Sequence, residues 1–352
     1  MNQHRKRDIR TIPKKELTEF LTAHNEKSFR STQIFQWLWQ KGSTSFREMT
    51  NLSEELRETL DANFIFKSLN PVDIQKSTDQ TIKTCFQLYD NQLVESVLIP
   101  SPNTLTACLS TQVGCPLNCK FCATGKMGFK CNLTVGEIFD QIIFLQKQAQ
   151  ESFNQALTNI VFMGMGEPLL NYSNVLSAIE KITSPEGLGI SPSRITLSTA
   201  GISRQIKQLA DDKVRFNLAI SLHTADNNKR NHLMPVNHSC NLEMLQEAII
   251  YFHQKTSQRV TIEYVLLKNF NDSLIDAQKL ARFCKEFPCK INLMEYNFVE
   301  NLPFQKSDKE NFEKFENFLK NKNIIVNRRH SKGDGIDAAC GQLANKTKIN
   351  LI

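Results

Sequence analysis

Apolar and polar positions alternate with different periods along this 352-residue chain, and the changes of period divide it. Residues 1–70 carry clustered apolar positions with no strand alternation, in "KKELTEFLTAHN", "RSTQIFQWLWQKG" and "LSEELRETLDANF". Each run ends near polar or turn-forming residues, so a small helical domain is expected there. Trp37 and Trp39 fall in its second run, where a core role is favoured over base stacking. Over 71–103 the pattern becomes β-rich around the turn "YDNQ", which predicts a hairpin connector.

From residue 104 to about 300, six short apolar or β-branched runs recur: "TLTACLST", "LTNIVFMGM", "SRITLST", "VRFNLAISL", "QRVTIEYVLL" and "CKINLMEYN". Helix-like stretches separate most of them, the first opening with Thr134 and Glu137 in capping-box spacing. Strands alternating with helices imply βαβ units and a parallel sheet, either doubly wound or an incomplete α/β barrel. In both, the working site lies at the carboxyl ends of the strands. Chemistry-bearing residues fall there: Cys115 after the first strand, "GMGEP" after the second, Ser198 in the third, "SLH" after the fourth, Asn297 after the last. Residues 301–352 read as a C-terminal extension with a charged surface helix, and "NRRHSKGDGIDAACGQL" as a glycine-interrupted loop.

Composition adds less. The formal charge of +7 is compatible with a polyanionic partner but does not establish one. The basic start "MNQHRKRDIR" is followed by no apolar run, and no segment approaches the roughly 20 apolar residues of a membrane span, so a cytoplasmic protein is expected. For such a chain its ten cysteines suggest metal binding or catalysis before a disulfide framework.

Three of them, in "GCPLNCKFCATGKMGF", stand as Cys115-x3-Cys119-x2-Cys122. A structural zinc site needs four ligands, and neither Cys108 nor Cys131 is spaced to complete one. Three thiolates on a four-iron cluster leave one iron open to a small molecule, which is a catalytic arrangement. Glu95 shares its alternation parity with Leu93, Val97 and Ile99, so a strand would turn it toward the apolar face. Burial there raises a carboxyl pKa, as a base or acid requires; the alternative is an exposed edge-strand glutamate. His223 has the duller alternative of a satisfied core histidine, and Cys108 and Cys340 that of ordinary buried cysteines.

The triplet resembles the signature of radical S-adenosylmethionine (SAM) enzymes. Together with "CLSTQVGC", "FMGMGEPLLN", "AISLH", "RNHLMPVN" and "GIDAACGQL" it resembles, from about residue 20 to 343, the RlmN family of dual-specificity adenine carbon-2 methyltransferases of 23S ribosomal and transfer RNA. The resemblance implies a partial (βα)6 radical SAM barrel over 104–300, one 4Fe-4S cluster on Cys115, Cys119 and Cys122, and two SAM molecules consumed per methylation. It implies SAM contacts at Gly166, Glu167, Ser198, Ser221, Leu222, His223 and Asn297. Cys340 matches the cysteine that carries the methyl group, Cys108 the thiol that resolves the adduct through a transient disulfide, and Glu95 the proton acceptor. An electron donor such as flavodoxin or ferredoxin, RNA contacts in the helical domain and a monomeric state are further expectations. Lys120, Lys126 and Lys130 beside the triplet, and Arg328, Arg329, His330 and Lys332 before Cys340, are candidate phosphate contacts or plain solvated surface. Phe298 follows Asn297 where the family usually has proline, and Lys332 and Gly335 also depart from its pattern. Two rival readings are a Cfr-type carbon-8 methyltransferase and a non-catalytic RNA-binding protein stabilised by a metal.

Overall fold

The computed structural model describes residues 6–345. The first five residues of the basic start and residues 346–352 of the C-terminal extension lie outside the described residues. Ten strands form one sheet: β1 (Asn70–Lys76), β2 (Ile82–Gln87), β3 (Leu93–Ser101), β4 (Thr104–Cys108), β5 (Asn159–Phe162), β6 (Ile195–Thr199), β7 (Asn217–Ser221), β8 (Val260–Leu266), β9 (Cys289–Glu295) and β10 (Ile325–Arg329). Their order in the sheet is their order in the chain. β1 to β4 pair antiparallel, and β4 to β10 pair parallel.

That order decides between the two architectures. A doubly wound sheet reverses its strand order at a switch point. Here the order never reverses, so crossovers of a single hand stack the helices on one face and curl the sheet. The result is an open α/β barrel. All six expected parallel strands are present, and β10 adds a seventh. The expected hairpin is β2 and β3, turning at Leu88–Gln92, but it continues through β4 into the barrel sheet.

β10 corrects the reading of "NRRH" as loop. Ile325–Arg329 alternates between exposed and half-buried along the outer edge of β9. Edge strands accept charges that central strands exclude, so Arg328 and Arg329 masked the signal. The helix before it, Lys309–Asn321, lies on the surface as expected and buries Phe312, Phe315 and Leu319.

The helices at Lys14–Ala23, Phe29–Trp39 and Glu54–Asn63 form the N-terminal unit. Its connection to the barrel is polar and buried. Arg10 lies 3.2 Å from Asp8 and 2.5 Å from Asp140 of the first barrel helix, Val135–Phe153. Nearby, Trp39 is buried edge-on against Phe139, the core role expected of it. Trp37 is half-buried, donates to Asn51 and lies under Lys41. Val135–Phe153 begins with the expected capping box between Thr134 and Glu137.

Candidate active site

The cysteine loop leaves the barrel just past β4 and is closed at its base by a short antiparallel pairing of Gln112–Gly114 with Phe129–Asn132. Closure demands glycine. Gly114 has φ +71°, and a Cβ there would stand 1.7 Å from the Gly128 carbonyl oxygen. Within the loop the Lys120 amide donates to the Leu233 carbonyl at 2.9 Å, and a small apolar cluster including Met234, Val236 and Tyr296 packs against Leu117 and Phe121.

Cys115, Cys119 and Cys122 are half-buried and lie close enough for the charge of one to act on another. Burial, reinforced by this mutual repulsion, pushes Cys115 up to about 12 and Cys119 upward as well. For Cys122 burial again dominates, against amides of Gly125 and Thr124 that favour the thiolate. These thiols ionise when a cation takes the proton's place. Among the described residues no three His, Cys, Asp or Glu side chains converge on a single ion. Three thiolates on three corners of an iron–sulfur cluster need not converge.

A buried cation supports the fit. Arg230 is fully buried and donates to the Ala200 carbonyl at 2.6 Å and to Asn237 Oδ1 at 2.9 Å, yet has no carboxylate ion-pair partner among the described residues. Burial lowers its pKa to about 10, opposed chiefly by the Cys119 thiolate. An unpaired buried charge is costly, and an anionic cluster on the three thiolates would supply its counter-charge. Its motif, "RNHLMPVN", was visible in the sequence without pointing to this part.

The other SAM candidates line the same ends of the strands. Gly166 follows β5 with φ +98°, where a Cβ would come within 2.5 Å of Gln112 Cβ. The buried Glu167 carboxylate accepts from the Leu169 and Ala200 amides at 3.0 and 2.8 Å. Burial raises its pKa, against these donors. Ser198 and Ser221 meet hydroxyl to hydroxyl at 3.2 Å across β6 and β7. Leu222 is buried. His223 has φ +56°, packs edge-on to Phe121, and accepts the Val265 amide on Nδ1 at 3.1 Å. Burial, with Arg230 adding, pushes it down to about 3, so the ring is neutral with its proton on Nε2.

Cys340 lies on a strap, residues 330–345, laid across the carboxyl ends of the strands. The Ala123 amide donates to Gly341 O at 2.7 Å, Thr124 Oγ1 to Leu343 O at 2.7 Å, and Asn297 Nδ2 to Cys340 O at 3.1 Å. On the antiparallel side, the Gly333 amide reaches Asp79 at 2.9 Å, and the Ala344 and Asn345 amides reach Glu95 Oε2 at 2.9 and 3.1 Å. Cys340 is accessible to solvent yet crowded by protein, the setting of a concave floor. This crowding pushes its thiol up to about 11, with Cys122 and Glu263 reinforcing it. Cys108, buried at the end of β4, is pushed up to about 12 by burial and then by the charge of Cys340. The strap thus holds one accessible thiol within electrostatic reach of both Cys108 and Cys122.

Glu95 corrects the edge-strand alternative. It is 1 % exposed on the interior strand β3, and its Oε1 lies 3.2 Å from Lys83 Nζ on β2. Lys83 was missed, although a lysine inside "TIKTCF" is a signal. Also missed was Glu263 on β8, 4 % exposed, whose Oε1 accepts from Asn292 at 2.8 Å while Oε2 has no hydrogen-bond partner. Of the basic candidates, Arg328 is spent on Glu295 at 3.0 Å. Lys126, Lys130, Arg329 and His330 are exposed, and Lys120 and Lys332 half-buried. Cys85, Cys131, Cys240, Cys284 and Cys289 carry no assigned role.

Residues 8–65 match the ribosomal RNA large subunit methyltransferase N-terminal domain, and residues 109–281 the radical SAM superfamily. A probable dual-specificity RNA methyltransferase RlmN of Christiangramia forsetii is 50 % identical, with 97 % of each chain covered. Its counterpart in Cytophaga hutchinsonii is 51 % identical over 97 % of this chain and 94 % of its own. This chain belongs to the RlmN family. A crystal structure of a radical SAM methyltransferase from Sphaerobacter thermophilus superposes with a TM-score of 0.90 at 37 % identity, covering 96 % of this chain and 98 % of that one. As a radical SAM methyltransferase, the RlmN-family chain uses a 4Fe-4S cluster and SAM as cofactors. Among the described residues no helix is long and apolar enough to cross a membrane.

Proposed function

We propose that this protein methylates carbon-2 of adenine in 23S ribosomal RNA and in transfer RNA, with Cys340 as the methyl carrier. The observation that supports this reading is the strap, which holds Cys340 within electrostatic reach of Cys122 in the triplet and of Cys108. The relatives, named as probable dual-specificity RNA methyltransferases, support the substrate class.

Carbon-2 of adenine is a poor nucleophile, so direct polar transfer is slow, and a cofactor must supply the hard step. When bound, the cluster on Cys115, Cys119 and Cys122 supplies the electron that activates SAM. The protein's own residues then have distinct tasks. Gly166, Glu167, Ser198, Ser221, Leu222, His223 and Asn297 position SAM over the triplet. Cys340 Sγ holds the carbon to be transferred and becomes covalently joined to the base. Glu95 accepts the proton lost from carbon-2, using a lone pair left free by the strap amides. Cys108 Sγ bonds to Cys340 Sγ, and the released carbon takes a proton to become the methyl group. The raised thiol pKa values keep both sulfurs protonated until each is needed. The exposed cations beside the triplet and on the strap contact RNA phosphates, and the target adenine is unstacked to reach Cys340. A small flavoprotein or ferredoxin donates the electron to a monomeric enzyme.

Nucleoside mass spectrometry of both RNAs after incubation with reduced, cluster-loaded enzyme and SAM tests the reading. It expects 2-methyladenosine in each; 8-methyladenosine alone would overturn it in favour of Cfr-type chemistry.

A further inference from the structure

One cavity stands apart from the cysteine triplet, with none of the three cysteines in its wall. It holds about 490 Å³ and is walled by the segment after β9, by residues 302–306 and by the start of the strap. We propose that this cavity receives the nucleobase adjoining the target adenine in the RNA, with Phe298 as its stacking face. The inference rests on the RNA reading above and adds a subsite to it.

Two observations tie the cavity to the Cys340 strap. Asn297 lines it and also donates to the carbonyl of Cys340. Phe298 accepts Gln342 Nε2 on its own carbonyl at 2.8 Å, so its backbone is bound to the Cys340 strap. The Phe298 ring is 68 % exposed on an anchored backbone, at the rim of a cavity that also contains Tyr296 and Phe304. An exposed aromatic beside a concave wall has a flat face to offer a base.

The charges in the wall argue against a phosphate. Of the charged wall residues, Lys306 pairs with Glu295 at 2.6 Å, whose carboxylate also takes Arg328 from outside the wall, and Asp334 accepts from Gln342 at 2.7 Å. These groups satisfy one another, leaving an aromatic surface with a polar edge. That is the complement of a neutral base. The volume lies within the range of small-ligand pockets, roughly 300–1,000 Å³, ample for one nucleotide. Stacking is tolerant of base identity, which suits an enzyme that must accept two RNA contexts.

The test uses an RNA stem-loop containing the target adenine, with 2-aminopurine placed in turn at each neighbouring position. Wild-type enzyme is first shown to form 2-methyladenosine in the unlabelled stem-loop; failure here would sink the RNA reading itself. Binding should alter 2-aminopurine fluorescence at one neighbouring position. F298A should remove that change and weaken RNA binding by roughly tenfold or more, the order of one lost stacking contact. F298W should retain both signals, while F298L, apolar but without a ring, should not. I275A, at an equally exposed side chain on an outer helix, should leave both unchanged. Iron content and melting temperature report on the folding of each variant. If wild type methylates the RNA but F298A binds it with unchanged affinity and fluorescence, or F298L matches wild type, the stacking site is wrong and the methyltransferase reading stands.

Discussion

On the proposed reading Glu95 has two jobs, and its replacement by glutamine separates them. The carboxylate is 3.2 Å from Lys83, with both side chains at most 5 % exposed, and its Oε2 accepts two strap amides. Glu95→Gln keeps the shape and leaves the Lys83 ammonium buried without a counter-charge. Breaking such a pair costs about 3–5 kcal/mol. The two amides fall from charge-assisted to neutral hydrogen bonds, adding about 1–2 kcal/mol. Against a typical stability of roughly 5–15 kcal/mol the variant should still fold, with a clear loss. Lys83→Met combined with Glu95→Gln removes the orphaned charge, so the total cost should return to about 1–2 kcal/mol. Urea unfolding of reduced, cluster-free protein, followed by circular dichroism, measures all three. Methylation of RNA should stay absent in the double variant, because the proton acceptor is still missing. A single variant within about 1 kcal/mol of wild type, or a double variant no more stable than the single, would refute the electrostatic argument. A double variant that regains methylation would remove Glu95 from the chemistry.

Four other outcomes follow from the same geometry. Cys108→Ala should trap RNA on the protein as a covalent adduct in denaturing gels, and only while Cys340 is present; normal turnover would reject its resolving role. With its folded pKa raised to about 11, Cys340 is protonated at neutral pH, so its alkylation by iodoacetamide in cluster-free enzyme should keep rising with pH beyond about 9. A plateau near the usual thiol range of about 8–9 would contradict that. Arg230→Met should reduce iron retention during anaerobic gel filtration more than it reduces the melting temperature of cluster-free protein, and equal losses would mean it serves only to tie loops together. Arg10→Met should lower stability by about 3–5 kcal/mol by stranding Asp8 and Asp140, read by urea denaturation; a loss below about 1 kcal/mol would count against the anchoring role.

The parallel strands were legible because each buries most of its core-facing positions, so β4 to β9 read as short apolar or β-branched runs. Their carboxyl ends were legible because cysteine, glutamate and histidine break those runs abruptly. β10 was not, since an edge strand ending in Asn327, Arg328 and Arg329 lacks that contrast. Lys83 and Arg230 escaped for a different reason. A buried cation is defined by what faces it from elsewhere in the chain, Glu95 in one case and Cys119 in the other. The course of the strap was hidden too, because its anchors at Asp79, Glu95, Ala123 and Asn297 are separated from it by tens to hundreds of positions.

The sheet does not close: β1 and β10 are its two free borders among the described residues. The segment bearing Cys340 runs on from β10 and is fastened to the antiparallel strands through Asp79 and Glu95, and to the loops after β4 and β9 through Ala123 and Asn297. A shift of the antiparallel strands against those loops would therefore pull on Cys340 from both ends of its segment, as a drawbridge pulls on its chains. On the proposed reading, a docking RNA that moved those strands would also change the gap between Cys340 and Cys108, so substrate admission and thiol spacing would share one mechanical coordinate.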